Sequence, residues 1–460
     1  MDTFKRELMR RSPLAACVLE MSDFIFDEQL LTSIWDAHRG RCYQDVLTFA
    51  DFLRLMRDAL VNHGGSAHRL FVDLERRDAG PVDESNFYRK LARTPVELSR
   101  ALLRDGTGRL AQLMPEGAGA ATLPACFDAF AVAIGDGKKV KNAAKRLAPT
   151  RGYSGKLLGA KALVALDARS GLALAMSDSL DGMANDVPLV PALMGQLRQI
   201  IARPILSVWD RQFDDAGTMG HLAARGGDAF VVRLKQKNHT FAVESAVETA
   251  DGLGRRVLDE VGVLGKGKKA MRLRRVTLFR GGEGEDDVVL LSNLLDRAAY
   301  AAADLLALYK ERWGIERVFQ QVTETFSLSH LIGSSPRAVL LQFAYCLLLY
   351  NLMQVVKAYV AADGKVLAGV VSMFHLFNDV RRELSAWAYH TDGSWPRVRR
   401  DAAAMRRRLR ELLRGSWDPV AYTKASDKKP RPKPKPKPLL HGGHSSVQRL
   451  LEGRVRLAKT

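Results

Sequence analysis

An α/β fold flanked by helical segments is predicted by three features of this 460-residue chain. Its first 120 residues carry helical periodicity, its middle alternates short apolar runs of strand and helix type, and its carboxy-terminal part turns basic. Residues 1–120 therefore read as a helical region, with periodic runs such as Val46–Val61 and Val96–Leu113. From about residue 123 the period changes. Ala125–Ile134 is strand-like, and Ala160–Leu166 with Leu172–Met176 forms a hairpin around Asp167–Gly171. A helix from about Asn185 to Ala202 starts with Pro188 in its first turn, and Ile205–Trp209 is an apolar run of buried-strand type. A helix Asp215–Arg225 and a strand Ala229–Leu234 continue the alternation.

Three strands followed by helix and strand in turn is the order of an RNase H-like α/β domain, whose first part spans 121–234. Residues 235–298 interrupt it with β-prone, Gly-rich and charged sequence, including Lys266-Gly267-Lys268-Lys269 and Arg272, Arg274 and Arg275, and read as a β-rich insertion. Strand resumes at Val288–Leu291, and 299–380 supplies the second part of the core. Residues 381–427 form a basic helical region holding Arg397, Arg399, Arg400, Arg406, Arg407, Arg408 and Arg410. In the tail, 428–460, the run KKPRPKPKPKP excludes helix and sheet and predicts an extended polyproline-like segment.

A net charge of +19, from 70 Lys and Arg against 51 Asp and Glu, argues for a polyanionic partner. Nucleic acid is the commoner explanation, an acidic membrane surface the rarer one. In keeping with a nucleic-acid partner, Asp83–Lys90 (DESNFYRK) has the polar cap and reaching side chains of a recognition helix, a mixture that ordinary helical bundles also show. Cys17, Cys42, Cys126 and Cys346 are scattered without metal-ligand spacing, which fits a reduced cytosol without disulfides. The first twenty residues lack a signal-peptide apolar core. Ala338–Val356 approaches the length of a membrane span, but Gln342, Asn351 and Gln354 interrupt it; we read a buried core helix and no membrane role.

Two-metal phosphoryl transfer needs at least three convergent carboxylates, and placement ranks the candidates. Asp304–Phe326 reads as one helix with Tyr309, Arg312 and Glu316 on a single face. Arg312 can fork onto phosphate oxygens and Glu316 can offer oxygens to a hard cation, although an amphipathic surface helix shows the same stripe. Asp136, in Ile134-Gly135-Asp136-Gly137, follows the first strand, with Lys138, Lys139 and Lys141 just downstream. Its flanking glycines permit close approach of a phosphate, and an ordinary Asp-Gly turn is the plainer reading. Asp210 ends the apolar run Pro204–Trp209; Asp214 and Asp215 are better placed to cap the next helix, which leaves Asp210 free. Asp128, Asp167, Glu311 and Glu324 are the rivals, placed mid-strand, in a turn, or off the Arg312 face.

Tyr309-x2-Arg312-x3-Glu316 resembles the helix motif of DDE transposases of bacterial insertion sequences, in the family four type with a Tyr-Arg-Glu-Lys pattern. Asp136-Gly137 and Asp210-Arg211-x-Phe213 resemble the two Asp motifs of the same group, and the likeness runs from about Cys126 to Val360. The resemblance implies a retroviral-integrase-like, RNase H-like catalytic domain with a β-rich insertion. It implies that Asp136, Asp210 and Glu316 bind two Mg2+ or Mn2+ ions, and that one site cuts the element end and joins its 3′-hydroxyl to target DNA. Tyr309 and Arg312, with Lys138, Lys139, Lys141 and Arg211, would contact DNA phosphates. The implied partners are double-stranded DNA and a second copy of the chain, in the nucleoid-bearing cytoplasm of a bacterium. The pattern's Lys falls on Thr323, which removes one ionic contact, and the insertion holds no Trp for a base-flipping stack. A non-catalytic DNA-binding descendant and a metal-dependent nuclease are the alternatives.

Overall fold

Apolar residues spaced three and four apart build the amino-terminal helices one after another, and Asp27, Thr48, Ser66 and Asp83 cap four of them. They are α1 (Thr3–Arg11), α2 (Pro13–Ile25), α3 (Glu28–His38), α4 (Phe49–Val61), α5 (Ala67–Arg76), α6 (Glu84–Arg93) and α7 (Val96–Ala111). The computed structural model describes residues 3–77, 82–117, 123–235, 240–267, 270–280, 286–326, 328, 330–391, 400–424 and 443–455. The basic run 428–438, Arg397, Arg399, Lys268 and Lys269 lie outside the described residues. Asp83 caps α6 by accepting the Asn86 N–H at 2.7 Å, Phe87 is wholly buried, and Lys90 turns inward to the carbonyls of Tyr43 and Leu47. Ser85, Asn86, Arg89 and Arg93 of that helix remain exposed.

The sheet is built from β1 (Ala131–Lys141), β2 (Lys156–Asp167), β3 (Ala173–Ser179), β4 (Ile205–Trp209) and β5 (Ala229–Arg233), with α8 (Val190–Ile200) and α9 (Ala216–Leu222) between strands. β1, β4 and β5 are parallel neighbours, and β2 and β3 continue antiparallel beyond β1. Three strands followed by helix and strand in turn, the element order read from the sequence, is thus present. The first strand is displaced from its expected span: Ala125–Phe127 makes a single tight turn, and β1 runs on through the IGDG segment, so Asp136 sits mid-strand rather than beyond its end. Asp128 correspondingly closes that turn and pairs with Arg169 at 2.8 Å.

The charged interruption becomes three long strands, β6 (Phe241–Ala250), β7 (Arg256–Leu264) and β8 (Met271–Leu278), followed by β9 (Val288–Ser292). They prolong the core sheet in the order β5-β9-β8-β7-β6 instead of standing beside it. Cross-strand acids absorb much of their basic charge. Arg274, fully buried, forks onto Asp259 at 2.9 and 2.7 Å and donates to the Tyr300 carbonyl at 2.6 Å. Arg275 forks onto Glu260 in the same way, and Arg272 donates one bond to Glu244 at 2.8 Å.

Beyond the sheet come α10 (Ala302–Lys310), α11 (Trp313–Glu324), α12 (Pro336–Asp363), α13 (Met373–Thr391), α14 (Ala402–Leu412) and α15 (Pro419–Tyr422). The strand β10 (His444–Ser446) then joins the free edge of β2, and α16 (Val447–Leu451) follows. By length and composition α12 suits a membrane, yet its most apolar window is entirely buried inside the protein. The amides that break its apolar run are all engaged. Asn351 binds both backbone groups of Ala173 and the Thr107 hydroxyl, Gln342 binds Ile332 and His330, and Gln354 donates to the Tyr350 hydroxyl. Through α12 the amino-terminal helices join the same apolar core as one face of the sheet. A Cβ on Gly106 of α7 would approach the Leu348 methyls of α12 to 2.9 Å, so this helix pair closes without displacing that side chain because residue 106 is glycine. Arg400 and Arg408, from the basic carboxy-terminal region, both pair with the buried Glu20 of α2.

Candidate active site

Three acids from distant parts of the chain meet on one face of the sheet. Asp136 comes from the middle of β1, Asp210 from the residue after β4, and Glu316 from the first turn of α11. β1 and β4 are parallel neighbours in which Gly135 pairs with Trp209, so Asp136 and Asp210 are the next residues along adjacent strands. Asp210 caps nothing with its side chain, whereas Asp215 accepts the Thr218 N–H and Asp214 that of Lys235.

The anticipated single helix over 304–326 is divided. Glu311, Arg312, Gly314 and Ile315 each donate to the carbonyl three residues back, at 2.8–3.3 Å, so a tighter turn separates α10 from α11. That turn presents Arg312 to the acids. Its Nη2 meets Glu316 at 2.9 Å and its Nη1 stands 3.9 Å from Asp136. The guanidinium is buried and lies 5.8 Å from the Tyr309 ring centre and 5.3 Å from that of Trp313. Tyr309 donates its hydroxyl to Asp210 at 3.5 Å. Nε and Nη1 of Arg312 have no hydrogen-bond partner, an unusual condition for buried guanidinium nitrogens.

Burial pushes the Asp136 carboxyl up to about 6. The Gly137 N–H, bonded at 2.7 Å, and Arg312 oppose that rise, while Glu316 and Asp210 add to it by repulsion. Tyr309 is likewise raised, first by burial. The acids converge on Arg312 rather than on one another. Among the described residues no group of three Asp, Glu, His or Cys side chains stands at ion-holding distance.

The other residues read as phosphate contacts separate into two sets. Lys139, Lys141 and Arg211 are exposed. Lys138 is half-buried and turned to α11, where its ammonium donates to the Phe319 carbonyl at 3.5 Å and lies 5.5 Å from the Phe319 ring centre. Burial and the neighbouring Lys141 lower its proton affinity. Thr323 bonds that same carbonyl at 2.6 Å, so a cation from β1 stands beside the position where the helix itself lacks one.

The glycines around Asp136 have a different use from the phosphate approach anticipated for them. A Cβ on Gly135 would enter the buried Trp209 ring, and one on Gly137 would strike the Asp186 carboxylate. Asp186 pairs with Lys161 at 2.7 Å and accepts from Gln212 at 3.0 Å, with both charges buried. Sequence reasoning passed over this pair, although a lone lysine in the apolar run KLLGAKALVALD is a signal that an acid must be nearby. Beside the acids, between the inserted strands and α10, opens a cavity of about 690 Å3 lined by Arg233, Arg255, Arg280, Lys310, Arg312 and the exposed Trp313.

Residues 124–352 match the family model described as transposase DDE domain, a span that includes all three acids. A Sinorhizobium fredii protein that carries the provisional name transposase y4zB is 32% identical over 133 residues, or 28% of this chain and 36% of that protein. The chain therefore matches about a third of that relative's length. The piggyBac transposase, in a cryo-EM structure of its synaptic complex with hairpin DNA, is 13% identical with a TM-score of 0.41, covering 86% of this chain and 85% of that one. The family match and the Sinorhizobium relative support a DDE transposase.

Proposed function

We propose that this chain, whose residues 124–352 carry a transposase DDE domain, is the transposase of an insertion sequence of the family four type. It binds the element's terminal inverted repeats, hydrolyses the phosphodiester at each end and joins the freed 3′-hydroxyl to double-stranded target DNA. It works as a homodimer on DNA, in the cytoplasm of a bacterium. The observation that carries the reading is the convergence of Asp136 and Glu316 on Arg312, and of Asp210 on the neighbouring Tyr309, from β1, α11 and the β4 exit.

The donor set is all oxygen and leaves three carboxylates against one guanidinium, one of them with raised proton affinity, which suits a hard divalent cation. Asp136, Asp210 and Glu316 would hold two Mg2+ or Mn2+ ions, which when bound supply Lewis acidity for hydrolysis and joining. Arg312 leaves the acids for a phosphate oxygen, where its unpartnered Nε and Nη1 gain acceptors. Tyr309 orients Asp210. Lys139, Lys141 and Arg211 follow the backbone at the rim, and the basic cavity beside Trp313 receives the strand adjoining the cut.

Incubation of the full chain with Mg2+ and the DNA bracketing its reading frame is expected to give nicks at inverted repeats and joined products. Cutting without joining selects a nuclease, binding with neither selects a non-catalytic descendant, and cutting in excess chelator overturns the metal assignment. Lys138→Met is expected to lower the slope of log affinity against log salt by about 0.9, the value of one phosphate contact. An unchanged slope in a gel-shift titration would assign Lys138 to packing against Phe319 alone.

A further inference from the structure

On the side of α11 away from Glu316 is a second, smaller cavity of about 100 Å3. Its lining includes Glu311 and Arg317 of α11, Tyr350, Gln354 and Lys357 of α12, and Lys424 from the segment that follows α15. Lys357 forms the floor and is buried in a helix whose buried amides, Gln342, Asn351 and Gln354, are all hydrogen-bonded. Arg317 and Lys424 are exposed at the rim. Lys424 is held there by the Gly369 carbonyl and by its own N–H on Val370 at 3.0 Å. Among the described residues neither Lys357 nor Arg317 has a hydrogen-bond or ion-pair partner, and the lone carboxylate in the lining, Glu311, is not within pairing distance of either.

A buried ammonium without an acceptor is costly, and here two further cations aggravate it. Burial, then Lys424 and Arg317, bring Lys357 down to about 7; burial and Arg317 also lower Lys424. The Tyr350 hydroxyl accepts from Gln354 and is not hydrogen-bonded to Lys357. One water needs roughly 10–15 Å3 of such space, so the cavity has room for a five-atom ion.

We propose that this cavity binds a tetrahedral oxyanion of the phosphate class, with Lys357 beneath it and Arg317 and Lys424 closing over it. The ion supplies the acceptors that Lys357 and Arg317 lack and a second one for Lys424, whose ammonium already donates to Gly369, and it ties α11, α12 and the segment after α15 to one another. It stands apart from the acids and does not depend on the strand-transfer reading. Two sources share the chemistry: free inorganic phosphate and a backbone phosphate of bound DNA.

Thermal unfolding of the full chain in inorganic phosphate against chloride, at equal ionic strength, tests the site without any DNA. Wild type is expected to be stabilised by phosphate, and Lys357→Met to show an apparent Kd weaker by about tenfold or more, the loss of one charge-assisted contact. Lys424→Ala at the rim should weaken it in the same direction, which covers the case of a misfolded floor variant. An identical phosphate response in wild type and both variants, or none in wild type, overturns the proposal. A gel-shift salt titration then separates the sources. A slope reduced by about 0.9 in Lys357→Met places a DNA phosphate in the cavity. An unchanged slope with the phosphate response lost in the variant places a free oxyanion there.

Discussion

Asp136→Asn is expected to abolish strand cleavage, by roughly three orders of magnitude or more, and at the same time to stabilise the protein in chelator at alkaline pH. The two effects share a cause. Folding places the Asp136 carboxyl in a half-buried site that faces Glu316 and Asp210, so its folded pKa stands near 6 against an ordinary value of 3.8. Between those values the folded chain binds more protons than the unfolded one, so stability falls as pH rises through the window and stays lower above it. Asparagine has no charge to lose and its amide oxygen still accepts the Gly137 N–H. The gain at pH 8 should be about 2–3 kcal/mol, a net shift in which the opposing attraction to Arg312 is already counted, and it should vanish near pH 4. Urea unfolding of both proteins at the two pH values measures it. Equal stability at pH 8 would mean that burial, aided by Glu316 and Asp210, does not disfavour the Asp136 carboxylate, and would remove the electrostatic argument for a cation at this site.

Gly137→Ala is expected to destabilise the fold by about 3 kcal/mol, more than a single methyl usually costs in a strand. The added Cβ would run into the Asp186 carboxylate, which is held by buried Lys161 and by Gln212. Moving Asp186 separates a buried ion pair, a loss of about 3–5 kcal/mol, and the better strand preference of alanine offsets at most about 1 kcal/mol of it. Urea denaturation of the purified variant gives the number. A change below 1 kcal/mol would show that Asp186 can move freely and that the pair does little for the sheet.

Both Asp residues were legible because each ends or follows a run too apolar to be anything but core, and a charge beside such a run needs a reason. Glu316 was legible from its spacing to Arg312. What the sequence hid was geometry made by hydrogen bonds. Glu311 and Arg312 are good helix formers whose backbone stays in the helical region, so nothing in their identity announces the slip from four-residue to three-residue bonding that aims Arg312 at the acids. The length of β1 was hidden for a related reason: Gly135 and Gly137 look like turn residues, and their partners Trp209 and Asp186 lie far along the chain. The inserted segment was legible as β-rich, but not as a continuation of the core sheet, since the pairing of β8 with β9 depends on register and not on composition.

The shared packing of α7 with α12 and β3 bears on how such a chain can change. The amino-terminal helices cannot be exchanged as a cassette, because Thr107 completes the hydrogen bonding of Asn351 and Ala173, and the Gly106 surface receives Leu348. A chimaera joined near residue 120 would leave a polar knot and an apolar furrow open in the half that holds the acids. Substitutions in those helices that spare this packing are therefore confined to their outer faces.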